Sequence, residues 1–155
     1  MKRVGITSTI PVEVIYAGGW TPVDLNNIFI TAQDPQEFVS SAEREGYPRN
    51  ACGWIKGIYT AAMRADLDAV IAVVEGDCSQ THAMTETWQT AGMQIIPFSY
   101  PYGHVYSDLH NSIDSLIRAF DTDWDSVNLV KRQFDKIRAK VWKLDELTWK
   151  ELAFS

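Results

Sequence analysis

The chain has 155 residues, of which 46% are hydrophobic, and a formal net charge of -6, which suits a single folded domain with its own core. The acidic charge disfavours a nucleic-acid backbone as partner, and no apolar run approaches the roughly 18 residues of a membrane-spanning helix. The N-terminal stretch MKRVGITST has too short an apolar segment for a signal peptide, so we expect a cytoplasmic protein. Two cysteines do not make a disulfide framework, and in a reducing compartment they should be free or act as ligands.

Short apolar runs alternate along the chain with segments of helical periodicity. Helix starts are indicated by Pro11, by the pair Asp34 and Pro35, and by Asn50 as an N-cap. The alternation predicts an α/β fold, a Rossmann-like parallel sheet with helices on both faces. The predicted strands are residues 3–7, 21–25, 69–74 and 94–98, and the predicted helices are residues 11–17, 36–43, 51–65, 79–91 and 108–120.

The C-terminal part predicts one long amphipathic helix over residues 124–145, because its apolar residues recur in steps of three and four. The apolar seam of this helix must lie against this domain, a second copy or another part of the protein. We therefore divide the chain into a Rossmann-like domain, residues 1–122, and a C-terminal helical extension, residues 123–155. The seam consists of Val127, Val130, Phe134, Ile137, Val141 and Leu144.

One cysteine lies in the stretch EGDCSQTHAM, between a buried strand and the start of a helix. In a parallel sheet, ligands bind beyond the carboxyl ends of the strands, and the partial positive charge of a helix N-terminus stabilises thiolate, which binds metal or attacks electrophiles. Cys78 is therefore a candidate functional residue. The alternative is that it packs as a small buried hydrophobic residue.

The second cysteine, Cys52, also lies at a helix start, after Pro48, Arg49 and Asn50. Two cysteines at helix starts on one rim of a sheet favour a functional pair over either residue alone. The 26-residue separation matches no zinc-ribbon or ferredoxin spacing, so the spacing itself identifies no metal.

Other polar residues follow the predicted strands. Ser8 follows the first strand, and either faces a ligand or caps the helix that starts near Pro11. Glu75 and Asp77 belong to the loop that leads to Cys78 and could cap a helix or act on a substrate proton. His82 is a possible further ligand or an ordinary histidine, and His104 is a candidate for substrate contact.

Four segments, GITSTIPVEVIYAGGWTPVDLNN, YPRNACGWIKG, DAVIAVVEGDCSQTHAM and IIPFSYPY, together resemble the 2-hydroxyacyl-CoA dehydratase D-component family. This family also contains benzoyl-CoA reductase subunits and proteins with a double-cubane iron–sulfur cluster. The resemblance runs along nearly the whole chain, and LDELTWKE near the end is similar to the segment that joins the two domains of family members.

The resemblance implies a 4Fe–4S cluster held between two Rossmann-like domains by three cysteines per subunit. In the dehydratases a separate ATP-hydrolysing activator delivers one electron, and the 2-hydroxyacyl-CoA thioester loses water through a ketyl radical to give the 2-enoyl-CoA. Cysteine thiolates are soft ligands suited to iron. By position, Cys52 and Cys78 match the first two ligand cysteines, and Ser8 matches a serine near the substrate.

The third ligand of the family lies in a second domain, whereas this sequence has two cysteines. We therefore expect one of three arrangements: an excised or naturally truncated domain, a site completed by another chain such as a second dehydratase subunit, or a homodimer that offers two cysteines from each copy. Three functions stay open: the cluster-binding domain of a dehydratase-like enzyme, which we expect to be inactive alone, a non-catalytic cluster-carrying or interaction module, and a metal-free α/β domain.

Overall fold

Strands and helices alternate along residues 1–150, the part of the chain that the computed structural model describes. The elements lie close to the predicted ones, so the α/β prediction is confirmed. The strands are β1 (Arg3–Ile6), β2 (Thr21–Asp24), β3 (Ala69–Glu75) and β4 (Ile95–Ser99), and the helices are α1 (Val12–Ala17), α2 (Leu25–Ile30), α3 (Pro35–Arg44), α4 (Gly53–Arg64), α5 (Ser79–Thr90), α6 (Tyr106–Ala119) and α7 (Trp124–Lys150).

The four strands form one sheet in the order β2-β1-β3-β4, and every neighbouring pair is parallel. The chain leaves β1 towards β2 on one side, and from β3 it continues to β4 on the other. The carboxyl ends of β1 and β3 therefore flank the point where the strand order reverses. A crevice at such a point is the usual ligand site of open α/β sheets.

The side chains of β3 alternate between two hydrophobic cores, one on each face of the sheet. Ile71 and Val73 pack on the face that α1 and α6 cover, whereas Val70 packs on the face that carries α4 and α5. All three are at most 1% exposed. This double burial explains why β3 is an unbroken apolar run rather than an alternating one.

One local prediction was wrong, and one helix was missed. Asn50 was predicted to cap the helix that starts near it, but the N-cap residue of α4 is Cys52. The sequence also gave no indication of α2, a helix of six residues whose N-cap is Asp24. The Asp24 carboxylate accepts the backbone N–H groups of Asn26 and Asn27, and this capping stabilises a segment that has little helical periodicity.

Only part of the predicted seam of α7 is covered. Val127 is buried, and Phe134 packs edge-on against Tyr16 of α1 with 5.1 Å between ring centroids. Further along, Ile137 and Val141 are each more than half exposed. The division of the chain at residue 122 stays a prediction, and residues 151–155 of the predicted extension lie outside the described residues.

The close packing of α4 on α2 depends on Gly57. A methyl group at this position would overlap the ring of Phe29, whereas Gly53, at the start of the same helix, has no such neighbour within 4 Å. Overpacking a core typically costs about 1–3 kcal/mol. We expect Gly57→Ala to be about 1–3 kcal/mol less stable than the control Gly53→Ala in urea unfolding, and equal stabilities would contradict this account of the interface.

Candidate functional site

A cleft of about 570 Å³ opens at the carboxyl ends of β1 and β3. Ser8, Cys52 and Cys78 all line it, and we call it the thiol cleft. Three residues that are far apart in the sequence are thus brought to one place, at the reversal point of the strand order. Both cysteines are free and exposed, so the interpretation of either as a buried packing residue is wrong.

Ser8 reaches the cleft because it follows β1 by two residues. The alternative role as a helix cap is also wrong, since the N-cap of α1 is Pro11 and that position has no side-chain capping hydrogen bond. The neighbouring Thr7 also lines the cleft. Its hydroxyl oxygen is buried and has no hydrogen-bond partner among the described residues, so the cleft floor holds an unsatisfied polar group.

Each cysteine is the N-cap residue of a 12-residue helix. Cys52 precedes α4 and Cys78 precedes α5, and neither thiol makes a capping hydrogen bond. The first backbone N–H groups of a helix lack partners inside the helix and carry partial positive charge. Two helix starts that meet at one cleft therefore favour a negatively charged group between them.

A direct hydrogen bond joins the two helix starts. The backbone N–H of Cys52 donates to Oε1 of Gln80, in the first turn of α5, at 3.0 Å. On the same turn, Sγ of Cys78 lies 3.8 Å from the hydroxyl of Thr81. The backbone N–H of Cys78 donates to Oδ1 of the preceding residue, Asp77, at 2.7 Å, in the loop before α5.

Asn26 ties the β1 loop to the start of α4. Its side-chain N–H₂ donates to the carbonyl of Thr7 at 3.0 Å, and its Oδ1 accepts the indole N–H of Trp54 at 3.0 Å. Asp24, which also lines the cleft, accepts a further hydrogen bond from Asn26. Sequence reasoning missed Asn26, although its place just after the carboxyl end of β2 was a signal of the same kind that indicated Ser8.

A buried lysine holds the loop that leads to Cys52. Nζ of Lys56 donates to Oε1 of Glu43 at 2.6 Å and to the carbonyl of Arg49 at 3.1 Å, and the side chain is 3% exposed. Nearby, burial and then the Glu45 carboxylate raise the pKa of Tyr59 to about 12. The phenol therefore stays protonated and donates to Glu45 at 2.9 Å.

The other sequence candidates take different positions. Asp77 lines the thiol cleft, whereas His104 lines a neighbouring pocket. Glu75 accepts the backbone N–H of Tyr102 at 3.1 Å, so it shapes the loop after β4. His82 is exposed on α5, outside the lining of the cleft.

The thiol cleft supplies two soft donors, which fit part of the ligand set of an iron–sulfur cluster. Within residues 1–150 no group of three or more His, Cys, Asp or Glu side chains is arranged to hold a metal ion. The donor chemistry therefore suits a cluster that takes its remaining ligands from outside the described residues.

The fold and the cleft define a class: a parallel α/β protein with two thiols at the reversal point of its sheet. The chain matches the family model described as 2-hydroxyglutaryl-CoA dehydratase, D-component, over residues 7–153. It belongs to that family, as the sequence motifs predicted. A search of curated proteins returned no match. None of the described helices combines the length and hydropathy of a membrane span.

The Lys56 contacts predict a pH-dependent contribution to stability. The hydrogen bond and positive charge of Lys56 lower the pKa of Glu43 below its ordinary value of 4.5. A lowered carboxyl pKa stabilises the fold at pH values above 4.5, and the contribution is lost as the pH falls through the folded-state pKa. We expect Lys56→Met to lose stability relative to the parent above pH 4.5, with a difference that shrinks below it.

Urea unfolding at a series of pH values measures this difference. The control is Lys140→Met, which removes an equal charge from an exposed position on α7. A deficit of Lys56→Met that stayed constant from pH 6 to pH 3 would show that the Glu43 ion pair does not act at this loop.

Proposed function

We propose that this chain is the iron–sulfur-binding domain of a 2-hydroxyacyl-CoA dehydratase-like protein. One observation carries the proposal: Cys52, Cys78 and Ser8 line the same cleft, in a member of the family to which the matching model belongs. In this proposal the two thiolates are iron ligands, and the serine acts on the substrate.

The surroundings of the two thiols suit an anionic metal cluster. The N-termini of α4 and α5 favour negative charge, and the bond from Cys52 to Gln80 holds the two helix starts together. A bound 4Fe–4S cluster would supply one-electron chemistry. The chain itself positions the two thiolates at the N-termini of α4 and α5.

Ser8 has the role of substrate positioning in this proposal. Its hydroxyl belongs to the loop after β1, on the β1 side of the thiol cleft. A hydroxyl can donate to the thioester carbonyl or accept from the 2-hydroxyl group of a 2-hydroxyacyl-CoA. The reaction would remove water from this substrate to give a 2-enoyl-CoA after one-electron activation by an ATP-dependent activator protein.

Partners complete the proposed site, because two cysteines are fewer than the ligands of a 4Fe–4S cluster. The missing ligands would come from a second dehydratase subunit or domain, or from a second copy in a homodimer. The conditions of the reducing cytoplasm, where we propose that the protein works, keep such thiols available.

A second candidate function is a cluster-carrying or interaction module without dehydratase activity of its own. The observation behind it is that the thiol cleft offers two cysteine ligands, so that a cluster bound there would be shared with another chain and would carry chemistry only in the assembly. In this alternative the thiol cleft still binds a cluster, but Ser8 has no substrate to position.

Iron content tests the proposal directly. We expect protein that is purified or reconstituted without oxygen to contain iron and acid-labile sulfide, roughly four irons per dimer if two copies share one 4Fe–4S cluster. Cys52→Ala and Cys78→Ala should each lose the iron and the brown absorbance, because each removes a ligand.

The matched control is Ser79→Ala, which changes the exposed residue next to Cys78 and should keep the iron. Size determination on the same sample distinguishes a homodimer from a monomer. Protein that binds no iron after reconstitution, with its fold unchanged in a Cys52→Ser, Cys78→Ser double variant, would support the metal-free α/β domain instead.

Ser8→Ala tests the proposed substrate contact. We expect the parent to bind a 2-hydroxyacyl-CoA more tightly than the matching acyl-CoA without the hydroxyl, by about 2- to 10-fold, because one hydrogen bond contributes about 0.5–1.5 kcal/mol. The variant should lose this preference and retain its iron. Titration calorimetry measures both affinities, and an unchanged preference in Ser8→Ala would remove Ser8 from the substrate site.

A further inference from the structure

A second pocket, of about 550 Å³, opens beside the thiol cleft at the carboxyl end of β4. Its wall is formed largely by the loop after β4 and the start of α6, and three tyrosines line it. Two of them, Tyr102 and Tyr106, are 70% and 81% exposed. We call it the aromatic pocket. Pockets of this volume that are lined by aromatic side chains and a few polar groups are typical small-molecule sites.

Close packing and a hydrogen bond restrain the backbone around this pocket. Gly76 has a φ of 85° and approaches Tyr100 so closely that a Cβ would lie 2.7 Å from the Cβ of that tyrosine. The hydroxyl of Tyr100 donates to the carbonyl of Thr9 at 2.8 Å. His104 has a φ of 51°, in the left-handed region where residues other than glycine are uncommon.

The segments that line the aromatic pocket are directly connected to those that line the thiol cleft. Gly76 lines the pocket and the next residue, Asp77, lines the thiol cleft. The bond from Tyr100 to Thr9 makes the same connection, since Thr9 lines the cleft and Tyr100 lines the pocket. A ligand with its reactive group at Ser8 could therefore extend its other end into the pocket.

Charge identifies which end of a thioester suits this pocket. Among the described residues, none that lines the pocket is Lys or Arg, whereas the carboxylates of Glu75 and Asp108 lie on the segments that frame it. A phosphate-bearing nucleotide needs cations or free N–H groups. An uncharged apolar group is favoured by the tyrosine rings.

We infer that the aromatic pocket binds the apolar acyl group of the thioester whose carbonyl lies at Ser8, and so selects substrates with a branched or aromatic acyl chain. The inference rests on the proposed function for the identity of the thioester. The apolar character of the pocket is independent of whether iron binds.

The test compares the affinities of the full chain for 3-phenylpropanoyl-CoA, acetyl-CoA and free CoA, measured by titration calorimetry. We expect 3-phenylpropanoyl-CoA to bind at least about tenfold more tightly than acetyl-CoA, because burial of an aromatic ring is worth about 1.5–3 kcal/mol. Tyr106→Ser should reduce this ratio towards one. The control Trp142→Ser, an exposed aromatic residue on α7, should leave it unchanged.

A probe without CoA tests whether the pocket binds an apolar group independently of the proposed thioester function. The uncharged 3-phenylpropanamide should shift the backbone amide resonances of residues 100–106 in the parent but not in Tyr106→Ser. If these shifts occur while no CoA thioester binds, the pocket is an apolar-group site and the proposed thioester function fails.

Two results would overturn the inference whatever the iron content. The first is equal affinity for 3-phenylpropanoyl-CoA and acetyl-CoA with no response to the amide probe. The second is an equal loss of affinity for CoA, acetyl-CoA and 3-phenylpropanoyl-CoA in Tyr106→Ser, which would place the nucleotide in the pocket.

Discussion

The parallel pairing of β1 with β3 is the constraint on which the rest of the structure depends. It aligns the carboxyl ends of two strands that are more than sixty residues apart in sequence, with Ile6 opposite Ile71. The chain then departs from this pair in opposite directions. The departing segments leave an opening between them, and Ser8 and Cys78 lie on its two sides.

That constraint is maintained by apolar burial on both faces of β3. A strand that contributes to two cores cannot slip by one residue, because the shift would exchange the sets of side chains that face α1 and α4. The register therefore fixes where the strand ends and where Cys78 enters the cleft. The position of the Cys78 thiol therefore depends on the packing of β3 in the two hydrophobic cores.

The sequence allowed prediction of the elements whose signal is local. The apolar run of β3, the Pro residue of α3 and the periodicity of α7 each determine their element within a few residues. The start of α4 was misplaced because Asn50 is the stronger intrinsic cap, whereas in the structure the carbonyl of the preceding Arg49 accepts a hydrogen bond from Lys56 and the N-cap is Cys52. At this helix start the intrinsic capping preference of Asn50 is overridden by the tertiary structure.

In the candidate site, too, residues with a local sequence signal were predictable and residues that depend on tertiary contacts were not. Ser8, Cys52 and Cys78 were predictable because each follows a strand or begins a helix, and topology alone brings such positions to one edge of a sheet. Gln80 was not predictable, since its role depends on a partner 28 residues away. The uncovered half of α7 was equally beyond prediction, because periodicity identifies an apolar face but not what packs against it.

The hydrogen bond from Cys52 to Gln80 couples the two loops that carry the thiols. It joins the ends of two helices that otherwise reach the cleft from separate parts of the chain. A movement that displaces the start of α4 breaks a contact of α5, so the two loops loosen together. We therefore expect the two thiols to act as a cooperative pair, because a group that orders one loop by binding its thiol reduces the entropy lost in binding the other.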